Sequence, residues 1–225
     1  MKQKTSSRVD LNALLSKLDS YIELVIKTQQ RIQMADGKNM YSLDLLSMAV
    51  SNRAIRVIQG FIQATESSNM LVSLPLVRLH IDTLLRWYAT TLVEHPHELA
   101  KLILSGSKLK DVKDREEKKL TDSYLVGCYS NYFSQLKTVY EKTSGYIHLS
   151  QSHMTAPVYS VESEGTITWM LSRGHKNDSS VHAGKVESTL CMIEITEHII
   201  HLLDHWAEQK NSVNGEVVHK TDKRE

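Results

Sequence analysis

Apolar residues recur along most of this chain at about the 3.6-residue period of a helix, and a single stretch alternates as a strand would. Asp10 is placed to cap a first helix carrying Leu11, Leu14, Leu15, Leu18, Ile22, Val25 and Ile26, and the Ala-Asp-Gly-Lys-Asn run at 35–39 ends it. A second helix is predicted over 44–66, with Leu46, Val50, Ile55, Val57, Ile58, Phe61 and Ile62 on its core side. Pro75 is expected in the first turn of a third, which continues to about residue 94. His95-Pro96-His97 opens a shorter helix that stops at Ser105-Gly106.

Beyond a charged link at 108–119, Thr121 or Ser123 can cap a fifth helix running to Ser144, with Gly145 as its stop. The rhythm changes after Pro157. Val158 to Glu162, then Ser163-Glu164-Gly165, then Thr166 to Leu171 predicts a β-hairpin insert near 158–171. A last helix is expected over 181–209. The fold class is therefore all-α: a bundle of five to six helices with a small hairpin insert. The chain divides into a flexible N-terminus at 1–9, one helical-bundle domain at 10–210, and a disordered polar tail at 211–225.

Composition narrows the function classes. The chain has 225 residues, 41% of them hydrophobic, enough for one substantial core. Its 27 basic and 26 acidic residues give a net charge of +1, which argues against binding to nucleic acid or acidic membranes by bulk charge and leaves only a local patch open. Cys128 and Cys191 are far apart and read as reduced core thiols, not a zinc site or disulfide framework. With no secretory leader and no apolar run of about 18–20 residues, the expected location is cytoplasmic, without a membrane partner.

On the third helix Arg78, Asp82 and Arg86 fall at i, i+4 and i+8, one narrow polar stripe on an otherwise apolar helix. Unpaired buried charges cost several kcal/mol, so the stripe needs partners or an aqueous cavity. It reads either as a structural ladder or as a phosphate-holding site in which Asp82 orients the arginines. His148 follows the fifth helix by less than a turn and is a candidate general acid or base. Tyr140 and Ser144, one turn apart, are placed to donate hydrogen bonds on one face, or to cap and tether the loop.

The last helix carries Glu187, Glu194, His198, His201 and His205 within one arc, read as a solvated face. No metal and no cofactor are expected. Phosphate-loop, dinucleotide, hydrolase-elbow and HExxH motifs are absent from the sequence. The 108–119 link holds six basic and four acidic residues and reads as a weakly positive solvated loop.

With Arg78/Asp82 on one helix and Tyr140-x3-Ser144-Gly-Tyr-Ile-His148 after another, the segment from about Leu74 to His153 resembles uncharacterised bacterial helical proteins of the broad HEPN-like class. That resemblance implies a helical bundle, often dimeric, of toxin–antitoxin and phage-defence systems. Many members are metal-independent ribonucleases with an arginine roughly four to six residues ahead of a histidine. No arginine holds that spacing before His148 or His153, so His148 would take its basic partner from another helix, Arg78 first. Two readings stay open. In one the chain binds or cleaves RNA, with His148 as base, Arg78 or Arg86 on the phosphate, and Tyr140 or Ser144 positioning. In the other it is a non-catalytic adaptor, a homo-oligomer or partner of another helical protein, whose Arg/Asp/His network is structural.

Overall fold

The amphipathic repeats condense into α1 (Leu11–Met34), α2 (Ser42–Glu66), α3 (Met70–Tyr88), α4 (Pro96–Leu104), α5 (Asp122–Tyr129), α6 (Leu136–Ser144) and α7 (Ser179–Thr221). These come from a computed structural model, which describes residues 9–146, 158–161, 164–169 and 179–221. The architecture is an all-α helical bundle. Helix α7 lies against α1 and α3, α2 packs between α1 and α3, α4 leans on α2, and α5 and α6 close over α3. Leu18 and Val25 of α1, Ile58 and Phe61 of α2, Ile81 and Leu84 of α3, and Ile195 and Ile199 of α7 are fully enclosed in the core. Each such side chain contributes about 1.5–3 kcal/mol on burial. Among the described residues, no helix is long and apolar enough to cross a membrane.

The helix starts follow local chemistry. The Asp10 carboxylate accepts from Asn12 N at 2.9 Å, as the sequence predicts. Between α1 and α2, Gly37 supports a tight turn at φ 60°. Asp44 then accepts from the Tyr41 amide at 2.8 Å and fixes the entry into α2.

Several boundaries differ from the sequence expectation, among them the end of α3, which stops at Tyr88 and not near residue 94. Helix α3 begins at Met70, not at Pro75, so the proline lies in its second turn and offers no N–H to the Leu71 carbonyl. The start is held upstream instead, where Asn69 O accepts from Val72 N at 3.1 Å and Ser73 N at 3.0 Å. The predicted fifth helix is two helices. Ser130, Asn131 and Ser134 are weak helix formers, and the Ser130 hydroxyl donates to Val126 O at 2.6 Å. Both sides of that break are anchored: the Tyr129 ring meets Tyr88 edge-on at 4.7 Å, and Phe133 stacks on His198 at 5.4 Å. Finally, α7 does not stop at residue 209; its backbone continues through Thr221, into the stretch expected as tail. In the 158–169 region, Val158–Val161 and Ile167–Trp169 are antiparallel neighbours.

Candidate functional site

Helix α3 winds Arg78, Asp82 and Arg86 onto one side, and neighbouring helices supply their partners. Asp82 pairs with Arg86 of its own helix at 3.0 Å and with Arg53 of α2 at 3.0 Å. Arg53 also donates through Nε to Thr83 at 3.0 Å. From the first residue of α5, Asp122 receives Arg86 Nη1 at 3.0 Å and, more loosely, Arg78 Nη2 at 3.5 Å. The same Arg78 nitrogen donates to the Tyr140 hydroxyl of α6 at 2.7 Å, and the guanidinium carbon lies 3.9 Å from the Tyr140 ring centre. The result is a chain of alternating charge, Arg53–Asp82–Arg86–Asp122–Arg78, ending on Tyr140 and tying four helices together.

Exposure varies along it. The Arg78 side chain is 11% exposed and Asp82 17%, whereas Arg86 and Asp122 are 33% and 36%. Three guanidiniums against two carboxylates leave one positive charge over. Among the described residues Arg78 Nε is buried without a hydrogen-bond partner, so they do not fully satisfy the network.

Of the other predicted site residues, Tyr140 is an acceptor for Arg78. Ser144, one turn on, donates its hydroxyl to Tyr140 O at 2.6 Å, a local bond within the helix end. His148 lies outside the described residues. Arg53 and Asp122 were not singled out from the sequence. Asp122 carried one available signal, an acidic residue in the first turn of a capped helix, but nothing local to pair it with α3.

The exposed side of Arg86 opens into a cavity of about 570 Å³, walled by the start of α5 and by the link that follows α4. That link is more ordered than a solvated loop. Asp114 is its hub, accepting Glu116 N and Lys118 N at 2.9 Å each, together with the Tyr124 hydroxyl. The Tyr124 hydroxyl, then the backbone amides of Lys118 and Glu116, hold the Asp114 carboxyl below its ordinary range against the opposing effect of burial. Lys113 pairs with Glu117 and Lys118 with Glu116, both at 2.6 Å. Lys108 and Lys110, on the cavity wall, make no ion pair with any described residue.

Other buried polar groups are closed centres. His80 is fully enclosed in α3, with Nε2 2.9 Å from Thr196 Oγ1. Thr196 donates its own hydrogen to Met192 O at 2.7 Å, so His80 Nε2–H is the donor to Thr196 Oγ1. Burial first, and then the charge of Arg53, lowers its pKa to about 3. Where α1, α2 and α7 meet, Lys210 and Asp44 form a buried ion pair at 2.8 Å. Lys210 also donates to Ile32 O at 2.9 Å, and Trp206 Nε1 donates to Asp44 at 2.8 Å.

The solvated reading of the last-helix stripe needs correction at His198. Its Nδ1 is 3.1 Å from the Tyr129 hydroxyl, its ring stacks on Phe133, and burial lowers its pKa. His201 and His205 are exposed as expected. A second cavity, about 610 Å³, lies between α3, α6 and α7. Cys191 on its wall is a poor nucleophile, because burial, helped by nearby Glu187 and Glu194, pushes its thiol up to about 11.

No family model, curated protein or solved structure matches this chain.

Proposed function

We propose that this chain is a non-catalytic helical interaction protein, in which the Arg53–Asp82–Arg86–Asp122–Arg78 network fixes the bundle. The observation that carries this reading is the state of Arg78. A phosphate-holding arginine needs a free donor face at a solvent-filled site. Arg78 instead is 11% exposed, with its guanidinium carbon 3.9 Å from the Tyr140 ring centre and its Nη2 committed to Tyr140 and Asp122. Asp82 is likewise saturated by two arginines and is a carboxylate orienting neighbours, not a proton acceptor for substrate. The paired backbone at 158–161 and 167–169 supports a hairpin insert on the bundle, and a cytoplasmic homo-oligomer or a helical partner fits the same reading.

A second reading, a HEPN-like RNA-binding protein or metal-independent ribonuclease of a bacterial defence or toxin–antitoxin system, is favoured by Arg86, which meets an open cavity. RNA cleavage in EDTA by the wild type, His148→Ala and Arg78→Ala separates them, with folding followed by circular dichroism. We expect no cleavage by the wild type and a lower unfolding midpoint for Arg78→Ala. Cleavage by the wild type that both folded variants lose would overturn the non-catalytic reading and establish the nuclease.

A further inference from the structure

We infer that the cavity between α3 and the start of α5 is a binding site for a nucleotide-sized phosphorylated ligand, with Arg86, Lys108 and Lys110 holding the phosphate. Three cations from two parts of the chain line this one cavity. Arg86 arrives from the last turn of α3, while Lys108 precedes and Lys110 lies within the short turn after α4. Lys108 and Lys110 are exposed and have no carboxylate partner among the described residues, so their charge is available to a ligand.

Arg86 is positioned but not used up. Asp82 and Asp122 each take one Nη contact, at 3.0 Å, which leaves further N–H donors of the planar guanidinium for an anion. Because the two carboxylates come from different helices, the guanidinium is held before any ligand arrives, and little side-chain entropy remains to be lost on binding. Asp122 lines the same cavity and would repel an anion if it stood alone. It faces both Arg86 and Arg78, and the network as a whole stays positive.

Size and lining narrow the ligand. A volume of about 570 Å³ falls within the ~300–1,000 Å³ of small-molecule sites. Ile103 and the buried Leu109 add an apolar wall, suited to a flat ring beside the charged end. A polymer reading is disfavoured by the charge distribution. The chain's net charge is +1, and two of the remaining lysines in the link, Lys113 and Lys118, are already paired with Glu117 and Glu116, so no long basic track extends from the cavity.

The test is isothermal titration of the full chain with ADP, GDP and UDP, alongside adenosine, inorganic phosphate and a short single-stranded RNA. The paired variant is Lys108→Ala with Lys110→Ala, which leaves Arg86 and the structural network untouched. We expect at least one nucleoside diphosphate to bind more tightly than adenosine or phosphate alone. The double variant should weaken that binding about tenfold or more with an unchanged unfolding midpoint. Absence of nucleotide binding at millimolar concentration, or binding that the double variant leaves intact, would overturn the site. Inorganic phosphate binding as tightly as the nucleotides would remove the ring-binding wall, and RNA binding without nucleotide binding would reassign the cavity to a polymer.

Discussion

Two ionic centres in this bundle both set cationic side chains against aspartates and behave oppositely. Asp44 and Lys210 are 0% and 1% exposed, carry no net charge, and are closed off by Ile32 O, Trp206 and the Tyr41 amide. The arginine network on α3 is half open, carries one surplus positive charge, and borders a cavity at Arg86 and Asp122. The first is sealed and can only hold α1, α2 and α7 together. The second also joins helices, but its central member, the half-buried Arg86, can meet a ligand without being withdrawn from its carboxylates. What separates a structural ion pair from a binding site here is the solvent face, the surplus charge and the spare donors of the guanidinium.

The largest expected effect breaks the sealed centre. Lys210→Met leaves Asp44 as an uncompensated buried carboxylate, and urea denaturation should show a loss of about 3–5 kcal/mol. A loss below about 1 kcal/mol would mean that water reaches Asp44 and that the two centres are alike.

Next comes the closed His80 site, which gives acid sensitivity. Its folded pKa lies near 3, below the ordinary 6.5, so the unfolded chain takes up the proton first as pH falls. The stabilisation is complete above about pH 6.5 and is lost progressively between there and about pH 3. Unfolding free energies from urea denaturation at pH 7 and 5 should differ by about 2 kcal/mol more in the wild type than in His80→Gln. Equal pH dependence in the two proteins would place the imidazole in contact with water. His198, also lowered by burial, acts in the same direction, and the comparison between variants removes its share.

In the open network the effect is smaller. Asp122→Ala takes a partner from both Arg78 and Arg86, but its side chain is 36% exposed and screened. A loss of about 1 kcal/mol is expected from denaturation. The smallest change sharpens the comparison from within α7. Lys185 is 9% exposed, donates to Ser68 Oγ at 2.8 Å, has no carboxylate partner among the described residues, and has its pKa lowered by burial. Lys185→Met leaves no stranded charge, so its stability should stay within about 1 kcal/mol of wild type, in contrast to Lys210→Met on the same helix.

Much of this was readable in the chain, for definite reasons. Helical periodicity placed the bundle, and the stripe of Arg78, Asp82 and Arg86 followed from spacing alone. Their partners did not. Asp122 is 44 residues from Arg78, and Lys210 is 166 from Asp44, so no local pattern connects them. His80 sits among core leucines of α3, where a polar residue on an apolar arc was a usable signal. The split between α5 and α6 was hidden because Leu125, Tyr129, Phe133 and Leu136 keep one helical phase across it, so periodicity ran through a break made by Ser130 and Asn131. The link at 108–119 looked solvated because its order depends on one carboxylate, Asp114, bonding to backbone amides and to Tyr124.

The most direct measurement is a double-mutant cycle on Arg78 and Asp122, using Arg78→Ala, Asp122→Ala and the double variant in urea denaturation. A structural network predicts non-additivity of about 0.5–3 kcal/mol, with neither single change uncovering or removing RNA cleavage. Additive effects within about 0.3 kcal/mol, together with wild-type cleavage lost in a stably folded Arg78→Ala, would contradict it and give the stripe back to catalysis.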